Sequence, residues 1–83
     1  MNDFLVTFFS THHALKAEKI LKNISSRIDL IPTPREINSE CGFSVLIRDF
    51  EDEPSILLKN LSYEHIYQIK YNSKGTKTYE KTY

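Results

Sequence analysis

At 83 residues the chain can build one domain around one core, burying about 60 to 65% of its unfolded surface, but not a second lobe or a large enclosed substrate cavity. Eleven basic and eleven acidic side chains give a formal net charge of zero, so no global field draws it to nucleic acid or anionic lipid. One cysteine cannot close an internal disulfide, no run reaches the about 20 apolar residues of a membrane span, and Met1-Asn2-Asp3 lacks the basic start of a signal peptide. A cytoplasmic location, with thiols kept reduced, is expected.

Phe4 to Phe9 is a dense aromatic and β-branched run with apolar residues on both faces, which predicts a central strand. Ser10 or Thr11 can cap the element after it, where Ala14, Ala17, Ile20, Leu21 and Ile24 recur at helical spacing opposite Lys16, Lys19, Lys22 and Asn23. This predicts an amphipathic helix of about three turns. Arg27 to Ile31 reads as a short strand with Ile28 and Leu30 inward, and Phe43 to Arg48 as another with Phe43, Val45 and Ile47 on one face.

Between these two strands runs Ile31-Pro32-Thr33-Pro34-Arg35-Glu36-Ile37-Asn38-Ser39-Glu40-Cys41-Gly42, with two of the three prolines, one of the two glycines and the only cysteine. Each X-Pro pair biases the chain toward extended geometry, so Ile31 to Pro34 should leave its strand as a stiff arm. The polar run beyond it delivers Cys41 beside Gly42, which is able to take positive φ and to admit a close backbone or ligand.

The acidic turn Asp49-Phe50-Glu51-Asp52-Glu53-Pro54 predicts a second helix capped by Asp52, with Pro54 in its first turn, Ile56, Leu57, Leu58 and Leu61 buried, and an end near Ser62 or Tyr63. Ile66 to Tyr71 alternates as a strand with one wet face. Asn72-Ser73-Lys74-Gly75 is a turn signal, and Thr76 to Tyr83 reads either as an edge hairpin strand or as a frayed terminus. There are no repeats and no linker, so a single domain over residues 1–83 is expected. The order strand, helix, strand, strand, helix, strand predicts an α+β fold, the ferredoxin-like split βαβ sandwich, with a further C-terminal edge strand as an option. There the first two strands run parallel, so the turn after Phe9 and the Pro/Cys loop open at the same end of the sheet.

Cys41 is the chemical centre of this reading. A thiolate can attack an activated sulfur or selenium and hold the atom as a persulfide or selenopersulfide, provided it is accessible and near positive charge or a helix N-terminus. The alternative is a small buried hydrophobe at the start of a strand. Arg35, set by the proline arm, can bind an anion or stabilise the thiolate; the alternative is a solvated charge or an ion pair with Glu36 or Glu40. His12 and His13 stand at the helix start, where an imidazole can add a donor or move a proton, although adjacent histidines point in different directions. Three histidines and one cysteine show no metal-ligand spacing, and no cofactor is implied. Tyr63, Tyr67, Tyr71, Tyr79 and Tyr83 among lysines are the composition of a nucleic-acid surface, but the central strands lack the matching motif and half-buried packing is the plainer reading.

Two blocks resemble a known family. Pro32-Thr33-Pro34-Arg35-Glu36-Ile37 with Ser39-Glu40-Cys41-Gly42, and Phe4-Leu5-Val6-Thr7-Phe8 leading to Ser10-Thr11-His12-His13-Ala14-Leu15-Lys16-Ala17-Glu18, resemble the small bacterial proteins of the selenium/sulfur carrier protein-like family. The resemblance covers about the first half of the chain and implies a carrier or accessory protein more than a stand-alone enzyme. Cys41 would be the acceptor, with Arg35, His12, His13 and Gly42 around it. Its partners would be sulfur or selenium donor and acceptor proteins, with neither nucleic acid nor membrane involved. The other reading is a protein-protein interaction module with a structural Cys41. Exposure of the thiol separates the two.

Overall fold

The computed structural model describes residues 2–25, 27–39 and 41–82. Strand β1 (Asn2–Thr7), helix α1 (Thr11–Lys22), β2 (Ile28–Pro32), β3 (Phe43–Phe50), β4 (His65–Tyr71) and β5 (Lys77–Lys81) follow one another, with a 3-10 helix, Pro54–Ile56, between β3 and β4. The strands form one sheet in the order β2-β3-β1-β4-β5, and every neighbouring pair is antiparallel. Among the described residues it is an α+β fold with one α-helix and a five-stranded antiparallel sheet. The tail after Gly75 pairs with β4 as an edge strand, Tyr71 opposite Lys77 and Tyr67 opposite Lys81. Glu40 and Tyr83, an ion-pair candidate and a tail tyrosine in the sequence reading, lie outside the described residues.

β1 is interior for the reason its composition suggests. Phe4, Val6 and Phe8 pack on the helix side with Val45, Ile47, Ile28 and Ile66, while Leu5 faces the other way toward Ile69. Because β1 and β2 are both antiparallel to β3, they run parallel to each other, and their C-terminal ends open on the same side. The β1–β3 ladder carries an irregularity between Asn2 and Phe4, where β3 spends one extra residue and Asp49 takes a positive φ of 52°.

The helix starts where its cap predicts. Ser10 is the N-cap, and its side chain accepts the His13 N–H. Its buried residues are Ala14, Ala17 and Leu21; Ile20 and Ile24, expected inside, are exposed. Ile24 lies beyond the helix end at Lys22, and the buried stripe of Ala14, Ala17 and Leu21 leaves Ile20 at its edge.

The second predicted helix does not form. Pro54–Ile56 makes i→i+3 bonds, Ile56 N–H to the Glu53 carbonyl and Leu57 N–H to the Pro54 carbonyl, and turns follow to Asn60. Glu53, not Asp52, occupies the cap position, and it makes no side-chain cap bond. Pro54 and Leu58 are buried, Leu57 and Leu61 are half-buried, and Ile56 points outward. A segment this short cannot recover the cost of nucleating an α-helix, so its apolar residues cover the core through turns instead. Among the described residues no helix is long and apolar enough to cross a membrane.

Candidate functional site

The segment 33–42 is a strap that touches both faces of the sheet. At its base, the Thr33 N–H donates to the Gly42 carbonyl at 3.0 Å, the Thr33 hydroxyl donates to the Cys41 carbonyl at 3.1 Å, and Thr33 Oγ1 lies 2.7 Å from Ser44 Oγ. Pro34 then opens a turn closed by the Ile37 N–H on the Pro34 carbonyl. This turn carries Ile37, only 7% exposed, onto Leu5 and Ile69 on the face away from α1. From there the chain crosses the C-terminal end of β1. The Ser39 hydroxyl reaches the Phe8 carbonyl at 3.4 Å and Glu64 Oε1 at 3.0 Å. Cys41 ends the crossing on the helix side, packed with the cluster that holds Phe8, Ala14 and Val45.

Cys41 is 3% exposed, so the accessible thiol expected from the sequence is not found. The reason is packing: the side chain joins the helix-side cluster with Phe8, Ala14 and Val45. Two polar groups nonetheless lie beside the sulfur. The Phe43 N–H donates to Sγ at 3.3 Å, and Sγ lies 3.7 Å from the Thr11 hydroxyl in the first turn of α1. That turn has no acidic side chain, so the partial positive charge of the helix start is not neutralised there. Among the described residues the hydrogen-bond partners of Cys41, side chain and backbone together, are Thr11, Thr33, Ser39 and Phe43.

The other predicted site residues lie elsewhere. Arg35 is exposed in the Pro34–Ile37 turn and is not among the partners of Cys41. His13 is half-buried with its Nδ1 2.8 Å from Ser10 Oγ, and His12 is exposed. Both histidines line a cleft of about 150 Å³ against Asn60, Leu61 and Ser62, so their ring contacts belong to the helix cap and that cleft. Gly42 is exposed and takes no positive φ, and an added Cβ would meet nothing within 4 Å; the close approach expected of it does not occur. Three residues were missed: Thr11 as the thiol's neighbour, Ser39 as the strap's anchor, and Glu64 as what it is anchored to. Ser39 alone left a signal, a hydroxyl two residues before the cysteine and able to hold its amide.

Residues 3–68 match the family described as "Putative Se/S carrier protein-like", a span that includes all of β1 but Asn2, α1, the whole strap and most of β4. The chain belongs to that family. Comparison with curated proteins and with solved structures returned no match. For this Se/S carrier-like chain the matched span takes in Cys41, Thr11, Ser39 and Glu64 together, while β5 falls outside it. Among the described residues, no group of three or more His, Cys, Asp or Glu is placed to hold a metal ion.

Proposed function

We propose that the protein is a cytoplasmic sulfur or selenium carrier whose single thiol, Cys41, accepts the atom as a persulfide or selenopersulfide. The observation that carries this reading is the setting of Sγ between the Phe43 amide and the Thr11 hydroxyl at the start of α1, inside a span matched by the carrier-like family. In the transfer, the Cys41 thiolate attacks the terminal sulfur of a donor persulfide. A new S–S bond forms at Sγ as the donor's S–S bond breaks, and the donor cysteine leaves as a thiolate. The step is neutral in electrons and needs no added oxidant or reductant. Release to an acceptor thiolate is the same step reversed, so partner proteins supply most of the catalysis. The exposed residues Arg35, His12 and Gly42, with the half-buried His13, are proposed to meet those partners. The strand order β2-β3-β1-β4 supports reading the fold as a one-domain ferredoxin-like split βαβ sheet whose second crossover has lost its helix.

A second reading is favoured by the burial itself: Cys41 as a structural residue of a protein-protein interaction module. Intact-mass spectrometry after incubation with a persulfide or selenopersulfide donor separates the two. The carrier gains the mass of one sulfur or selenium atom, lost again on reduction and absent in Cys41→Ser. A chain that stays unmodified is the interaction module.

A further inference from the structure

The charges of this neutral chain are not evenly spread. Its densest acidic run, Asp49 with Glu51, Asp52 and Glu53, lies at the end of β3 that pairs with Asn2. At the opposite end of the sheet, where β1 leads into α1, His12, His13 and Lys16 line a cleft whose other wall is Asn60, Leu61 and Ser62. No carboxylate lines that cleft. Spacings of four and three residues put His12, Lys16 and Lys19 in one row along α1, and all three are exposed. The acid of α1, Glu18, is engaged by Lys22 at 2.8 Å, and Glu64, just beyond the cleft in sequence, accepts from the Ser39 hydroxyl. Among the described residues Lys16 and Lys19 form no ion pair, whereas Lys22, Arg27, Arg48 and Lys70 each do. We infer that this cleft and the row of His12, Lys16 and Lys19 are the face on which an acidic partner protein docks, with one of its carboxylate side chains entering the cleft.

Size and chemistry select this occupant. At about 150 Å³ the cleft is well below the about 300 to 1,000 Å³ of a small-molecule pocket, so it has room for a side chain and not for a cofactor-sized ligand. The Asn60 amide and the Ser62 hydroxyl add donors without adding charge, and Leu61 offers the stem of a glutamate an apolar contact. The cationic row beside the cleft supplies the longer-range attraction that steers a partner in, and the cleft fixes its register. The lysines of β5 offer no equal surface: Glu80 stands between Lys77 and Lys81 in the strand, and Glu36 lines a cleft together with Lys77. Position gives the face its use. His12 follows Thr11, whose hydroxyl lies 3.7 Å from Cys41 Sγ, so a partner seated here stands beside the thiol's own neighbour. The docking face rests on the carrier reading for this purpose, and it adds that the donor or acceptor presents carboxylates.

The test uses no sulfur or selenium donor. A blocked pentaglutamate peptide is titrated into the folded, isotope-labelled protein and binding is read from amide chemical shifts, with blocked pentaglutamine and inorganic phosphate as separate arms. We expect pentaglutamate to move the amides of residues 12–19 and 60–62 together, and its affinity to fall about tenfold as salt rises from about 0.02 to about 0.3 M. Lys16→Glu should weaken binding about tenfold and Lys16→Ala about threefold. Lys16→Arg keeps the charge and Lys74→Ala lies in the β4–β5 turn, so both should stay within about twofold of wild type. The docking face is overturned if no shifts appear, if they centre on β5, or if Lys16→Glu binds as wild type does. It is equally overturned if pentaglutamine binds as well as pentaglutamate, or if phosphate moves the same amides with equal affinity, which would make the cleft a site for a small free anion. A chain that binds pentaglutamate here and never takes up sulfur upholds the docking face and refutes the carrier. Sulfur uptake at Cys41 without pentaglutamate binding refutes the docking face alone.

Discussion

Cys41 Sγ lies 3.7 Å from the Thr11 hydroxyl, although the two residues are 30 positions apart in the chain. The contact exists because β1 and β2 run parallel through α1, which puts the helix start and the strap at the same end of the sheet. As a thiol, Cys41 accepts from the Phe43 N–H and donates to the Thr11 hydroxyl; as a thiolate it would accept from both. Thr11→Val keeps the side-chain shape and removes one donor, and is expected to slow alkylation of Cys41 about threefold at neutral pH. Iodoacetamide kinetics on the Thr11→Val protein check this. An unchanged rate would mean that the hydroxyl does not serve the thiolate.

Ile37 is the only described strap residue buried in the small cluster of the outer face, among Leu5, Ile69 and the half-buried Tyr67 and Tyr79. Its removal leaves a cavity between the strap and the sheet. Ile37→Ala should cost about 2 to 4 kcal/mol, a large part of the stability of so small a domain, read as a shift in the urea midpoint. A loss below about 1 kcal/mol would show that the strap does not depend on this anchor.

The two glycines should behave in opposite ways. Gly42 has ordinary backbone geometry and open space around its Cα, so Gly42→Ala is expected to leave the melting temperature within about 2 °C of wild type. Gly75 has φ of 78° in the β4–β5 turn, where its N–H donates to the Asn72 carbonyl. There an alanine is strained and should cost about 1 kcal/mol, visible as a lower melting temperature.

Three tyrosines are expected to lower stability at alkaline pH. Burial holds the phenols of Tyr67, Tyr71 and Tyr79 above the ordinary value of 10.0, helped by the charge of Glu64 at Tyr67, by the Asp3 hydrogen bond at Tyr71, and by Glu36 at Tyr79. A raised phenol favours the protonated form in the folded state. Its stabilisation is therefore complete below pH 10.0 and is lost as pH rises through the folded-state values. The urea midpoint should be flat from neutral pH to about pH 9 and fall beyond about pH 10, in step with tyrosinate absorbance. Asp3→Asn should leave Tyr71 titrating closer to the ordinary value, because the charge that opposes its ionisation is gone.

Local chemistry determined much of this protein. The two-sided apolarity of Phe4 to Phe9 led to an interior strand, although β1 ends at Thr7 and Phe9 beyond it is exposed; Ser10 led to the helix cap, and the prolines to a loop that leaves β2 in an extended arm. These follow from nearest neighbours and period, which a single chain displays. The second helix shows where that ends: Ile56, Leu57, Leu58 and Leu61 have helical spacing, but too few turns to offset nucleation. What only the tertiary structure decided is the site. Ile37 looked like one more loop residue until the sheet offered it Leu5 and Ile69, and Cys41 looked exposed until the fold packed it beside Phe8 at the end of β1. Both contacts join the strap to strands that are distant in sequence, and burial in a strap depends on where its two ends are pinned. No spacing within the strap itself carries that information, because the residues packed around Cys41, Phe8 and Ala14 among them, come from elsewhere in the chain.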